Sequence, residues 1–187
     1  PILGTRGCPY SCFKYCVYPL QQGRKPRHRE PKNIVDELEY WRKKFNVKMF
    51  IFRDPVFSIN KKHTIDILNK IISSKINVNI CIETHLKNID ESLAKLLKNA
   101  GVKLVYVGIE SADEEVRHNS NRQSEANDMQ IQKINFLENI GIKVKAMYIL
   151  GLPTDSKKTF SKTLEYAKKV NSSYAQFSVF TPYPGTP

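Results

Sequence analysis

Three of the four cysteines fall within nine residues, in the run Gly7-Cys8-Pro9-Tyr10-Ser11-Cys12-Phe13-Lys14-Tyr15-Cys16. Pro9 removes a backbone donor and Gly7 loosens the chain, so the run reads as a loop. Thiolates packed this densely suit a soft metal centre. Structural zinc needs four ligands, and the nearest histidine, His28, sits among cations. A disulfide framework would belong to a secreted chain, and no signal peptide is visible. Three thiolates without a fourth ligand fit an iron–sulfur cluster with one iron open. Cys8, Cys12 and Cys16 are the candidate ligands. Cys81 lies in an apolar run and reads as a small buried side chain.

Composition sets the frame for that loop. The chain has 187 residues, 41% hydrophobic and 26% charged, the size and balance of one globular domain. No apolar run reaches the ~20 residues of a membrane span. Four cysteines in this length do not make a disulfide scaffold, so a reducing cytoplasm is the expected compartment. The sequence starts with Pro1 and ends at Pro187 in a turn-rich phrase, and we read it as a segment of a longer protein. Net charge is +12, from 30 Lys+Arg against 18 Asp+Glu, which favours polyanions. The Arg24, Lys25, Arg27, His28, Arg29 cluster suits phosphates but lacks the interleaved aromatics of a single-strand groove. Nucleic-acid binding is therefore not favoured.

Periodicity supplies the elements that must position the loop. Extended runs are predicted at 1–6, 47–52, 78–83, 103–109, 143–150 and 175–180, all but the first preceded by an amphipathic helix. The predicted apolar stripes are Ile34, Val35, Leu38, Trp41 and Phe45, then Ile65, Leu68 and Ile72, then Leu93, Leu96, Leu97 and Ala100. Ile131, Ile134, Leu137 and Ile140 form the fourth, and Phe160, Leu164, Ala167 and Val170 the fifth. The stretch 112–127 reads as a long polar loop. Alternating strands and helices give an α/β fold with a parallel sheet. Every polar or glycine-bearing phrase follows a strand, at the edge where such folds build sites. A site drawing on every strand end favours a partial (β/α)6 TIM-like barrel over a doubly wound sheet.

With these features assembled, the chain resembles the radical S-adenosylmethionine (SAM) superfamily across essentially all of its length, residues 1–187 as one core domain with a cluster loop at 7–18. The resemblance rests on Arg6-Gly7-Cys8-Pro9-Tyr10-Ser11-Cys12, Phe52-Arg53-Asp54-Pro55-Val56-Phe57, Val107-Gly108-Ile109-Glu110-Ser111, Ile149-Leu150-Gly151-Leu152-Pro153 and Pro182-Tyr183-Pro184-Gly185-Thr186. These phrases look most like the group whose members often carry an upstream cobalamin-binding domain. The resemblance implies a 4Fe–4S cluster on the three cysteines, SAM chelated by the open iron, and reductive cleavage to a 5′-deoxyadenosyl radical. Cobalamin would come from a domain outside this chain. The family spacing is C-x3-C-x2-C, whereas this chain has C-x3-C-x3-C. The added residue either bulges from the loop or turns a thiolate away.

The resemblance also assigns SAM contacts, each with a rival reading. Tyr15 would lie by the adenine, against a loop aromatic packed on the core. Asp54 would meet the methionine ammonium, against a simple Asp-Pro turn. Glu83 would line the pocket, against a solvated strand end. Glu110 and Ser111 would hydrogen-bond the ribose or the amino-acid part, and an acid after so apolar a run is hard to place as packing. Arg122 would reach the methionine carboxylate, against a surface charge. Gly151 would admit the adenine to the backbone, against a turn glycine, and Tyr183 would cap the pocket, against a rigid Pro-flanked turn. His85 and His63 read as surface residues. The expected partners are a small-molecule or polyanionic substrate and an electron donor such as flavodoxin or ferredoxin. Hydrogen abstraction or cobalamin-assisted methyl transfer would follow SAM cleavage. The rivals are an RNA methylthiotransferase branch of the same family and a non-catalytic metal-stabilised module that binds nucleic acid.

Overall fold

The computed structural model describes residues 1–10, 12 and 15–182. Five parallel strands form one sheet in sequential order: β3 (Met49–Ile51), β4 (Asn79–Thr84), β5 (Val102–Glu110), β6 (Lys143–Leu150) and β7 (Tyr174–Val179). The sheet curls into a half-barrel, as the alternation of strand and helix predicts. The expected first strand contributes only one parallel bridge, Ile2 to Phe52. Beyond it the chain leaves the sheet edge, and β1 (Thr5–Arg6) pairs antiparallel with β2 (Arg27–His28) as a separate ribbon. Asp54 draws the chain there, accepting a 2.7 Å bond from Gly4 N. The basic loop is thereby folded back beside the cysteines.

Helices cover the outer face, where alternate strand residues such as Val105, Val107 and Ile109 are buried. The remaining helices are α1 (Tyr18–Gln22), α2 (Pro31–Phe45), α3 (Lys61–Ser73), α4 (Glu91–Asn99), α5 (Glu114–Asn119), α6 (Asn127–Asn139) and α7 (Lys157–Val170). Their starts follow the capping residues: Asn60 accepts from His63 N, Asp90 from Leu93 N, and Ser156 forms a capping box with Thr159. Among the described residues β7 pairs with β6 alone, and its residues are all exposed. The concave inner face is left open beside it.

Three predicted helix stripes are turned from their expected faces. α2 buries Ile34, Val35 and Leu38, but Trp41 and Phe45 are exposed and pack on each other. The inward position of that last turn goes to Arg42, which bonds Asn77 O. In α3, Ile67, Leu68 and Ile71 are buried and Ile72 is not. In α7, Leu164 is exposed while Thr163 and Tyr166 turn inward, because they serve the loop after β5. Ala112 N donates to Thr163 Oγ1 at 3.1 Å, and Tyr166 OH donates to Asn127 O at 2.9 Å. That loop is itself not plain coil, since α5 occupies its middle.

Candidate active site

The thiols meet at the C-terminal ends of the strands. Cys8, Cys12 and Cys16 are free and line one cavity of about 300 Å³. Cys16 N donates to Cys12 O at 3.0 Å, an i→i+4 bond. Cys16 lines the cavity with Cys8 and Cys12 despite the added residue in C-x3-C-x3-C. The Cys12 and Cys16 thiols hydrogen-bond each other, which lowers Cys12 to about 6 and raises Cys16. Burial raises Cys8. Gly7 holds the loop entry at φ +93°, where a Cβ would strike the Lys25 carbonyl. Among the described residues, no three His, Cys, Asp or Glu side chains converge on a single-ion position. Three thiols around one cavity present the soft donors that an iron–sulfur cluster takes.

Opposite the thiols lies a buried ion pair. Glu110 ends β5 at φ +67°, after a register shift between Gly108 and Glu110. Arg122 Nε is 3.6 Å from Glu110 Oε1, both side chains being 10% exposed. Tyr15 OH donates to the same oxygen at 3.4 Å, and Arg122 also bonds Gly108 O. Burial raises the Glu110 pKa, opposed by Arg122, and raises that of Tyr15, reinforced by Glu110. A Cβ on Gly108 would collide with the Glu110 carboxylate, so this glycine makes room for the pair. Glu83, raised by burial and eased by Arg53, lines the same cavity.

Tyr15, Glu83, Glu110 and Arg122 are thus brought together with the three cysteines. Ser111 stands behind the cavity, buried and within 3.3 Å of Thr163 Oγ1. Asp54 also lies behind it: 1% exposed, it holds Gly4 while its Oδ2 has no partner, and burial lifts its pKa to about 6. Gly151 sits in the exposed turn after β6, with its N–H on Asp155. Tyr183 lies outside the described residues.

The cavity also takes Tyr10, His85, Gly108, Met147, Gln176 and Ser178, which sequence reasoning missed. Strand parity was the available signal for two of them, since Gly108 and Met147 alternate with buried neighbours. His85 corrects the surface reading: it is 4% exposed, and burial and then Arg122 hold its pKa near about 3. The neutral ring accepts from Lys87 N and bonds Gln123 O at 2.5 Å, tying the β4 end to the loop that carries Arg122. A larger groove of about 790 Å³ lies behind Arg122 but contains no thiol. We therefore place the site in the smaller cavity.

A partial barrel with three thiols in a loop at its strand ends defines a class of enzyme core. The Radical SAM superfamily model matches residues 2–167, and the chain belongs to that family. Radical SAM enzymes use a 4Fe–4S cluster and SAM. An uncharacterized methyltransferase of Pyrococcus horikoshii is 29% identical over 185 residues, covering 99% of this chain and 40% of that protein. Bacteriochlorophyllide d C-12(1)-methyltransferase of Chlorobaculum tepidum is 28% identical, covering 100% of this chain and 41% of that one. The radical SAM methyltransferase TsrM of Kitasatospora setae, solved with cobalamin and a [4Fe-4S] cluster, has the same fold. Its TM-score is 0.90 at 21% identity, covering 100% of this chain and 37% of that one. The chain spans about two fifths of the length of the methyltransferases it matches. No helix among the described residues is long and apolar enough to cross a membrane.

Proposed function

We propose that this chain is the SAM-cleaving core of a radical methyltransferase, with cobalamin carried by a domain outside it. The carrying observation is one cavity that combines three thiols with a buried Glu110–Arg122 pair. Cys8, Cys12 and Cys16 would hold the cluster, which supplies the electron that breaks a C–S bond of SAM and yields a 5′-deoxyadenosyl radical. Arg122 is suited to the methionine carboxylate and Glu110 or Glu83 to its ammonium, since charge-assisted bonds of fixed geometry are the strong ones. Tyr15 orients Glu110 and closes the cavity towards the loop. Ser111 and Asp54 act as supports: Ser111 fixes the turn after β5, and Asp54 anchors the strand that leads into the cysteine loop. Gly151 belongs to the turn after β6, where the adenine would rest.

The methyl-transfer part of the reading draws on the relatives, two of which are named methyltransferases. The electron donor we assign is a flavodoxin or ferredoxin, whose acidic surface would suit a chain of net charge +12. Four free thiols support a reducing compartment, the cytoplasm. The test is anaerobic iron–sulfur reconstitution, with EPR spectra of the reduced protein before and after SAM. A 4Fe–4S signal that SAM perturbs, followed by release of 5′-deoxyadenosine, is the expected result. No cluster, or one indifferent to SAM, would overturn the reading.

A further inference from the structure

The strands present one lateral row of side chains just below the cavity. Register sets Glu83 of β4 beside Tyr106 of β5, Tyr106 beside Lys145 of β6, and Lys145 beside Tyr174 of β7. Laterally paired residues of a parallel sheet point to the same side, and alternate residues along a strand share a face. The next row towards the strand ends, Gly108–Met147–Gln176, lines the cavity. The Tyr106–Lys145–Tyr174 row is therefore the cavity's floor, two residues or roughly 7 Å further down the strands. The side chains agree: Lys145 Nζ lies 5.5 Å from the Tyr106 ring centroid. Lower still, Lys143 Nζ lies 5.8 Å from the Tyr174 ring.

Lys145 gives the floor a positive charge. Glu83 faces Arg53, but neither Lys143 nor Lys145 forms an ion pair among the described residues. Lys133, by contrast, pairs with Glu125 at 2.7 Å. Lys145 and Tyr106 are half-buried, and Tyr174 is 47% exposed. Lys145 against the Tyr106 ring, with Tyr174 beside it in register and Met147 one row above, presents a cationic group bordered by flat apolar surfaces.

We infer that this floor seats the substrate, a planar small molecule whose carboxylate lies on Lys145 and whose flat body lies against Tyr106 and Tyr174. The inference rests on the proposal that SAM occupies the cavity above, because that stacking brings the substrate under the reacting end. A carboxylate on Lys145 would give that half-buried ammonium the partner it lacks among the described residues.

The test uses the reconstituted protein with SAM and two matched probes, naphthoate and naphthamide, with affinities measured by calorimetry. Naphthoate binds at least about tenfold tighter than its amide. That preference disappears in Lys145→Met, returns in Lys145→Arg, and persists in Lys133→Met. Far-UV circular dichroism checks each variant's fold, with Lys145→Gln read in place of Lys145→Met should the latter not fold. Equal affinities, undetectable naphthoate binding, or a preference that survives loss of Lys145 would overturn the inference. The EPR response to SAM separates the two readings. A flat EPR titration with intact acid preference refutes SAM binding alone, and a SAM-responsive cluster without the preference refutes the floor.

Discussion

Glu110 and Arg122 bury opposite charges against each other, and each makes the other tenable. Removing one partner of a buried pair typically costs about 3 kcal/mol, because the survivor is left charged and unpaired. Arg122→Met strands Glu110, whose pKa burial already raises. A carboxyl with a raised folded pKa binds more protons in the native state than in the unfolded one, so stability falls as pH rises through that value. Urea unfolding of Arg122→Met is thus expected to show a large deficit at pH 8 that shrinks as the pH is lowered. Gly108 offers a steric counterpart. Gly108→Ala drives a methyl group into the Glu110 carboxylate, costing about 1–3 kcal/mol. The variant should keep its circular dichroism spectrum while the cluster's EPR signal no longer responds to SAM.

At the scale of elements, Asp54 links the sheet edge to the ribbon that carries the cysteines. Its folded pKa of about 6 stands above the 3.8 of an unperturbed aspartate. Its burial therefore destabilises the fold increasingly from pH 4 to 6, and fully above that. Asp54→Asn keeps an acceptor for Gly4 N and removes the charge. Thermal melts should place it on the order of 2 kcal/mol above the parent at pH 7.5, with the gain fading towards pH 4. Strand and helix order was legible because apolar runs of period two and 3.6 alternate along the chain. The rotation of the helices was not. In α7, Thr163 and Tyr166 face inward to satisfy backbone groups near Ala112 and Asn127, a demand made by residues some forty to fifty positions away. The ribbon was equally hidden, since β1 and β2 have two residues each and owe their pairing to Asp54.

Across the whole molecule, the acids, bases and thiols could be picked out by type, but their grouping depended on topology. Glu110 and Arg122 were both named by position, whereas His85 looked like a surface residue until burial between Tyr10 and Gln123 placed it. The ribbon and cysteine loop are attached to a sheet with its own core, so cluster loading should stabilise the two regions unequally. Hydrogen exchange is expected to slow over residues 7–30 on reconstitution and to change little in β4, β5 and β6. Uniform protection across the chain would count against this division. The backbone bond that holds Cys16 beside Cys12 has a cost during purification. An i→i+4 backbone bond brings the two residues it joins to about 6 Å of each other, within the span a disulfide bridges. In air the metal-free protein will pass a pair of hydrogens to oxygen and lock that pair with a sulfur–sulfur bond. Iron will then be refused until a thiol reductant reopens it.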